Sequence, residues 1–217
     1  MSVWGVVLAG GGGTRFGGLK QFARLGGQSL LERVVSVALA SCDGVVVVLP
    51  AGHDWNGPGI RATGGSTRAE SVRAGLAALP GDASIVCITD AAHPLAGSVL
   101  YERVIGAVRA GADAALPGLP LTDAVKRVQM VNDEPHLLGV AGATTPAGGH
   151  VSAQMPMAFS LPVLLRAHRE IADAVEDSAM VGAAGGRVVV VPGEPTNVHV
   201  TTPDELVVAQ ALLPLTH

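Results

Sequence analysis

The sequence predicts an α/β protein with a mostly parallel β-sheet and helices on both faces. Two observations carry this prediction: short apolar runs recur along the chain, and stretches with helical spacing of apolar residues separate them. Of the 217 residues, 48% are hydrophobic and only 15% are charged, which excludes a disordered chain. A chain of this length can bury a sizeable core, so we expect a single domain over residues 1–217.

The predicted elements alternate through the first half of the chain. Residues 3–9 are apolar apart from Gly5, as is typical of a strand buried on both faces. Residues 29–40 instead repeat their apolar side chains at helical spacing. The same two patterns predict further strands at 44–49, 83–89 and 112–117, and further helices at 67–79 and 98–110. This alternation indicates a Rossmann-like architecture.

Prolines interrupt the alternation between residues 117 and 157. Residues 125–131 and 137–140 flank an Asn132-Asp133 pair typical of a hairpin tip. A two-stranded ribbon is marginal alone, so we expect a protruding β-arm at about 122–151 that packs against a second subunit in a homodimer. Beyond the arm, the patterns predict a helix at 161–172, strands at 187–191 and 197–201, and a helix at 203–213 that opens with Pro203.

Charge and composition argue against several kinds of partner. The formal net charge is −4 and aromatic residues make up 3% of the chain, so we expect no nucleic-acid partner. Apolar runs such as residues 45–49 are far shorter than the ~20 residues of a membrane span, so we expect no membrane partner. Cys42 and Cys87 match no disulfide framework or zinc pattern, and we expect a cytoplasmic protein.

A glycine-rich loop follows the first predicted strand. Residues 10–13 are all glycine, and Arg15 and Lys20 follow them. The loop matches neither the dinucleotide fingerprint G-x-G-x-x-G nor the G-x-x-x-x-G-K-[ST] phosphate loop. Glycine N–H groups beside two cations suit phosphoryl or nucleotidyl transfer, in which charge grows on phosphate oxygens. The alternative is a flexible surface loop with incidental cations. The loop alone does not decide between these two interpretations. Of the 14 basic residues only Lys20 and Lys126 are lysines, a hint that Lys20 is used for the compact ammonium group that arginine lacks.

An ordered series of motifs runs through the rest of the chain. It comprises the glycine loop with KQF and LGGQSLL (residues 9–31), GGSTRAESVRAGL (64–76), TDAAHP (89–94), LTDAVK (121–126), AQMPMAF (153–159), DSA (177–179) and NVHVTTPDEL (197–206). The series resembles the 2-C-methyl-D-erythritol 4-phosphate cytidylyltransferases, which make isoprenoid precursors. The resemblance covers nearly the whole chain, with the motifs in the family's order.

The resemblance implies a Mg²⁺-dependent transfer of CMP from CTP to a small phosphorylated polyol, most simply 2-C-methyl-D-erythritol 4-phosphate, with release of pyrophosphate. It makes Arg15 and Lys20 catalytic and Asp90 the metal ligand. The implied nucleotide-binding residues are Ala9, Gly10, Gly11, Gly12, Gly65, Ser66, Arg68, Ser71, Asp90 and Ala91. The implied acceptor-binding residues are His93, Asp123, Met155 and His199.

Some of these residues also have purely structural interpretations. Asp90 ends a predicted strand, where an aspartate is often only a turn residue. However, the carboxyl end of a strand is also where open α/β sheets bind ligands. Ser66 or Thr67 is a candidate helix cap, with Glu70 completing a capping box. Met155 is a candidate for core filling.

The departures from the family's pattern cluster on the acceptor side. Arginine is replaced by His93, lysine by His199, and threonines by Ala124, Met155 and Glu176. These changes remove cations and hydroxyl groups, which are suited to binding a phosphomonoester. We therefore expect an intact nucleotide half and poorer use of methylerythritol phosphate. The alternatives are another acceptor such as ribitol 5-phosphate, a catalytically impaired nucleotide-binding homologue, and a dinucleotide oxidoreductase, which the failed fingerprint disfavours.

Overall fold

The computed structural model describes residues 1–121, 126–131, 134–140 and 149–216. Its strands are β1 (Ser2–Leu8), β2 (Arg24–Leu25), β3 (Gln28–Ser29), β4 (Gly44–Leu49), β5 (Ile60–Thr63), β6 (Ala83–Asp90), β7 (Ala114–Pro120), β8 (Lys126–Val131), β9 (Glu134–Val140), β10 (Val151–Ala153), β11 (Met157–Ser160) and β12 (Val188–Pro192). Its α-helices are α1 (Leu30–Ser41), α2 (Arg68–Ala77), α3 (Ser98–Arg109), α4 (Leu161–Glu170), α5 (Asp177–Ala183) and α6 (Pro203–Leu212).

The main sheet has eight strands in the order β10-β7-β11-β6-β1-β4-β5, with β12 paired to β7. Strand β1 lies between β4 and β6 and is parallel to both. The pairs β4–β5 and β7–β12 are also parallel, whereas β11 runs antiparallel to β6 and β7. The predicted mostly parallel α/β sheet is therefore confirmed, with an antiparallel strand inserted beside β6.

Helices cover both faces of the sheet, as predicted. Neighbouring residues on a strand point to opposite faces, so Val7 packs with α1 and α3, whereas Val6 packs with α2, α4 and α5. Both side chains are fully buried. Because both faces are covered, β1 and β4 read as continuous apolar runs rather than alternating ones. A third apolar cluster, which includes Leu30, Leu95 and Val200, lies beneath the end of α6.

Capping boxes fix the start of three helices. Ser29 with Glu32 caps α1, Thr67 with Glu70 caps α2, and Thr202 with Glu205 caps α6. Of the two predicted cap candidates for α2, Thr67 is the cap, since its side chain accepts from the Glu70 N–H at 3.1 Å. Ser66 also binds the Glu70 carboxylate, through its hydroxyl at 2.6 Å. The predicted position of Pro203 in the first turn of α6 is confirmed.

The prediction of a strand at residues 197–201 is wrong. This segment is irregular, because its polar groups bind two different segments rather than one neighbouring strand. Asn197 Nδ2 donates to the Met155 carbonyl at 2.7 Å, and the Val200 N–H donates to the Ala92 carbonyl at 2.7 Å. The sequence patterns also missed β5, β10, β11 and α5. These elements have only three to seven residues each, too few to show a clear period.

Strands β8 and β9 form an antiparallel sheet of their own, in the region predicted to be an arm. Their register runs from Lys126 opposite Val140 to Val131 opposite Glu134. The predicted hairpin tip at residues 132–133 lies outside the described residues, as do residues 122–125 and 141–148. Both cysteines are free thiols. In the described part of the chain, no helix has the length and apolar character needed to span a membrane.

Candidate nucleotide-binding site

A cleft of about 320 Å³ opens where β1 and β6 end. Its walls come from three stretches of chain: the glycine loop after β1, the turn into α2, and the turn after β6. The carboxyl ends of parallel strands are where open α/β sheets bind ligands. The residues that line the cleft are Leu8, Ala9, Gly10, Gly11, Gly12, Lys20, Gln21, Gly65, Ser66, Thr67, Arg68, Ser71, Asp90, Ala91 and Ala92.

The glycine loop is held by Gln21, a residue to which sequence reasoning gave no role. Gln21 is 2% exposed, and its Nε2 donates to the Ala9 carbonyl at 2.9 Å and to the Gly11 carbonyl at 3.4 Å. Gly13 turns the chain with φ of +63°, and a Cβ there would lie 1.7 Å from the Gly18 oxygen. Only glycine fits at that turn. The sequence signal that could have identified Gln21 is its place in the KQF motif, directly after Lys20.

The two predicted catalytic cations occupy different places. Lys20 lines the cleft, and its Nζ donates to the Val200 carbonyl at 3.0 Å. Burial lowers the pKa of Lys20, and the positive charge of Arg15 lowers it further. The negative charge of Asp90 acts in the opposite direction and raises the pKa. Arg15 is exposed on the outer part of the loop and is not among the residues that line the cleft.

The turn into α2 presents the start of that helix to the cleft. Residues 65–68 and Ser71 line the wall. The N–H groups of Ser66 and Thr67 already donate to the Glu70 carboxylate, so the charged donor that this turn adds to the wall is the Arg68 guanidinium. Arg68 is oriented by Asp177, whose Oδ2 accepts from Nη1 at 2.5 Å. Asp177 is 1% exposed, and its Oδ1 also accepts from His168 Nε2 at 3.0 Å. Burial acts to raise the pKa of Asp177, but His168 and Arg68 outweigh it and hold the pKa below its ordinary value.

The turn after β6 gathers one carboxylate and two imidazoles. Asp90 Oδ1 accepts from the Ala92 N–H at 3.1 Å and from His93 Nδ1 at 2.8 Å. The His93 ring stacks on His199, with the centroids 4.7 Å apart and the planes 22° apart. Burial acts to raise the pKa of Asp90, but His93, His199 and Lys20 outweigh it and keep the carboxylate ionised. Partial desolvation and the neighbouring His93 lower the pKa of His199.

This turn also gives the cleft a candidate metal centre. One potential ligand atom from each of Asp90, His93 and His199 lies within 4.8 Å of the other two. The predicted metal ligand Asp90 therefore belongs to a cluster that can hold a divalent cation.

The structure brings the ten predicted nucleotide-binding residues together with Lys20 in one cleft. It adds Leu8, Gln21, Thr67 and Ala92, which had not been predicted to line it. The predicted acceptor-binding residues do not all lie together. His93 and His199 adjoin Asp90, whereas Met155 is 7% exposed and packs in a core cluster. Asp123 lies outside the described residues. The individual roles of all these residues stay predictions.

Comparisons with known proteins agree on one family. The profile of the 2-C-methyl-D-erythritol 4-phosphate cytidylyltransferases matches residues 3–214. An enzyme of that name from Rhodococcus jostii (strain RHA1) is 37% identical over 220 residues, covering 96% of this chain and 93% of the relative. The crystal structure of the 2-C-methyl-D-erythritol 4-phosphate cytidylyltransferase from Thermus thermophilus superposes with a TM-score of 0.82 at 30% identity. That match covers 99% of this chain and all of the other.

Other relatives are longer proteins. The "Bifunctional enzyme IspD/IspF" of Anaeromyxobacter dehalogenans (strain 2CP-C) is 41% identical over 228 residues, which cover 97% of this chain and 57% of that enzyme. Across four such bifunctional relatives, the chain spans 55–58% of their length.

Proposed function

Because this chain belongs to the 2-C-methyl-D-erythritol 4-phosphate cytidylyltransferase family, we propose that it transfers CMP from CTP to a phosphorylated polyol and releases pyrophosphate. The most direct acceptor is 2-C-methyl-D-erythritol 4-phosphate, in the synthesis of isoprenoid precursors. One observation carries the proposal. The ten residues predicted to bind the nucleotide come from three separate stretches of sequence, and all of them line one cleft.

The cleft has the chemistry that a nucleoside triphosphate needs. Its volume of about 320 Å³ lies within the usual range of small-molecule sites, roughly 300–1,000 Å³. Glycine residues 10–12 allow backbone N–H groups to approach phosphate oxygens closely, since a Cβ would stand in the way at such contacts. The start of α2 on the opposite wall adds the Arg68 guanidinium.

Lys20 is positioned to act on the reacting phosphate. In the proposed reaction, an oxygen of the acceptor phosphate attacks the α-phosphorus of CTP, and the bond from that phosphorus to the oxygen bridging to the β-phosphate breaks. Negative charge then grows on the nonbridging oxygens. A preorganised ammonium held by the Val200 carbonyl stabilises that charge without reorganising during the reaction. Arg15 would reach the same phosphates from the exposed part of the loop.

The Asp90 carboxylate fits the Mg²⁺ that the family resemblance implies. Both hydrogen bonds to Asp90 from the described residues engage Oδ1, so Oδ2 can bind a cation. Mg²⁺ is usually held by one or two carboxylates together with substrate phosphates and water, and this donor fits that description. When bound, Mg²⁺ neutralises part of the triphosphate charge.

The chain's setting is part of the proposal. We propose a cytoplasmic homodimer, because the β8–β9 ribbon forms a sheet separate from the main one and both cysteines are free thiols. His93 and His199 stand where the family's pattern has permanent cations, so the acceptor side of the site is altered. Another polyol phosphate, such as ribitol 5-phosphate, is therefore the second candidate acceptor.

The test is pyrophosphate release from CTP with Mg²⁺ across a panel of acceptors. We expect turnover with methylerythritol phosphate or with ribitol 5-phosphate, and a strong preference for CTP over GTP and ATP. Calorimetry with the same nucleotides and NAD separates the alternatives. CTP binding without turnover on any acceptor would indicate a non-catalytic homologue, and binding of NAD in place of CTP would indicate a dinucleotide enzyme.

A further inference from the structure

The donor set beside the cleft is richer in nitrogen than a magnesium site requires. Mg²⁺ takes oxygen ligands almost exclusively, whereas imidazole nitrogens suit transition cations such as Mn²⁺, Co²⁺ and Zn²⁺. Here one carboxylate, from Asp90, stands with two imidazoles, from His93 and His199. Two histidines and one carboxylate, with positions left for other ligands, form a common site for first-row divalent metals.

The geometry of the cluster is close to that of a metal centre. Bonds of about 2.0–2.2 Å place neighbouring ligand atoms on one ion roughly 3–3.5 Å apart. Asp90 Oδ1 accepts a hydrogen bond from His93 Nδ1 at 2.8 Å, so the atoms that these two residues can offer an ion are Asp90 Oδ2 and His93 Nε2. The widest separation in the cluster is at most 4.8 Å, so the third ligand has to close by about 1 Å. His199 is exposed and has room to make that movement.

The backbone holds the two parts of the cluster together. Asp90 ends β6, His93 lies on the turn after it, and His199 lies on the irregular segment before α6. The Val200 N–H donates to the Ala92 carbonyl at 2.7 Å, which joins these two segments next to the ligands. Thr201 Oγ1 lies 3.3 Å from His199 Nδ1, a contact that engages Nδ1 and leaves Nε2 as the ring nitrogen to bind an ion.

We propose that Asp90, His93 and His199 bind one transition-metal cation, of the class of Mn²⁺, Co²⁺ or Zn²⁺, more tightly than Mg²⁺ and without bound nucleotide. Binding itself depends only on these three side chains. The use of the ion rests on the proposed function, since a cation at the mouth of the cleft would attract the phosphates of CTP and of the acceptor.

The test is titration of Co²⁺ into the untagged chain without nucleotide, followed by visible absorption and calorimetry. We expect one Co²⁺ per chain, absorption bands typical of nitrogen ligation, displacement by Zn²⁺, and much weaker binding of Mg²⁺. His199→Ala is expected to weaken Co²⁺ binding by at least about tenfold, since even outer partners of metal ligands cost 10–100-fold when removed. The matched control His150→Ala removes an exposed histidine outside the cluster and is expected to bind Co²⁺ like the wild type.

His93→Ala is expected to weaken Co²⁺ binding like His199→Ala. Because His93 is buried, circular dichroism checks that this variant is folded, and exposed His199 provides the variant that does not depend on this check. Absence of Co²⁺ binding to the wild type would overturn the proposal, and so would unchanged binding in folded His199→Ala.

Pyrophosphate release with Mg²⁺ distinguishes failure of the metal site from failure of the proposed activity. Turnover without Co²⁺ binding refutes the metal site alone, and Co²⁺ binding without turnover on any acceptor refutes the proposed activity alone.

Discussion

Lys20 shows how one side chain is positioned by distant parts of the fold. Its ammonium is held by the carbonyl of Val200, which is 180 residues away along the chain. Burial lowers its pKa, while the Asp90 carboxylate favours the charged form. A positive charge that is partly desolvated and fixed in place stabilises a phosphoryl-transfer transition state better than a mobile surface lysine would.

We expect Lys20→Ala to reduce the rate of pyrophosphate release by about 10²–10³, the usual loss when one preorganised charge contact is removed. The dissociation constant for CTP is expected to change far less, because the charge on the reacting phosphate grows mainly in the transition state. Steady-state kinetics and calorimetry measure the two quantities. Arg169→Ala, which removes an exposed cation at the end of α4, is the control. An unchanged rate in Lys20→Ala would contradict the assignment.

Asp177 is the second residue whose role depends on distant partners. It is buried on α5 and binds both Arg68, at the cleft wall, and His168, on α4. Removing the carboxylate leaves a guanidinium and a buried imidazole without their common partner. Asp177 therefore holds the Arg68 side chain at the cleft wall.

Asp177→Asn is expected to lower the free energy of unfolding at pH 7 by about 1.5–3 kcal/mol, the range for a hydrogen bond to a charged group. The pKa of Asp177 is depressed in the folded state, so its contribution is fully present above the ordinary aspartate pKa near 4 and is lost as the pH falls below it. Urea unfolding at pH 7 and at about pH 3.5 should therefore show a smaller difference between variant and wild type at the lower pH. Exposed Asp173→Asn is the matched control, and equal destabilisation in both variants would contradict the role of Asp177.

At the scale of elements, the β8–β9 ribbon is the least integrated part of the described fold. Its two strands pair with each other and belong to neither the main sheet nor the β2–β3 hairpin. Met130 on β8 is 61% exposed, and Lys126 and Gln129 are also exposed. Two-stranded ribbons are marginally stable alone, so packing against a second copy of the chain would account for its persistence.

We expect the wild-type chain to be a dimer at micromolar concentration and a variant lacking residues 126–138 to be a monomer. Light scattering coupled to size exclusion measures both masses. The main sheet pairs no strand with β8 or β9, so the variant should keep its α/β fold by circular dichroism. A monomeric wild type would contradict the prediction, as would a deletion variant that assembles like the wild type.

At the scale of the whole molecule, the sheet order creates the cleft. Placing β1 between β4 and β6 brings the glycine loop, the turn into α2 and the turn after β6 to one edge of the sheet. Segments that are separate in sequence, within residues 8–21, 65–71 and 90–92, therefore line one cleft. A nucleotide that contacts all three should stabilise the folded state as a unit.

We expect CTP with a divalent cation to raise the melting temperature by about 5–10 °C when its concentration is 100 times its dissociation constant. At that ratio binding adds about 2.7 kcal/mol, and a domain of this size gains roughly 2–4 °C per kcal/mol. Differential scanning calorimetry measures the shift, with GTP and NAD as matched controls. An equal shift with NAD would contradict a site specific for the cytidine nucleotide.

The sequence by itself determined the elements with strong local signals. Continuous apolar runs predicted β1, β4 and β6 as buried strands, and helical spacing predicted α1, α2 and α3. Spacing also indicated a capping box at the start of α2, with Glu70 and either Ser66 or Thr67, and the structure identifies Thr67 as the cap. The ordered motifs further predicted which residues would surround a nucleotide, and these residues line one cleft. Such signals are visible in the sequence because periodicity and capping depend on residues within a few positions of one another.

Only the tertiary structure decided which distant side chains meet. Arg68 and Asp177 are 109 residues apart, and no local pattern joins them. Residues 197–201 resemble a strand in sequence, yet contacts with Ala92 and Met155 hold the segment irregular and bring His199 onto His93. The physical reason is that short-range preferences fix individual strands and helices, whereas the order of strands in the sheet fixes which loops share an edge. The cluster of Asp90, His93 and His199 exists because that order closes a gap of more than 100 residues.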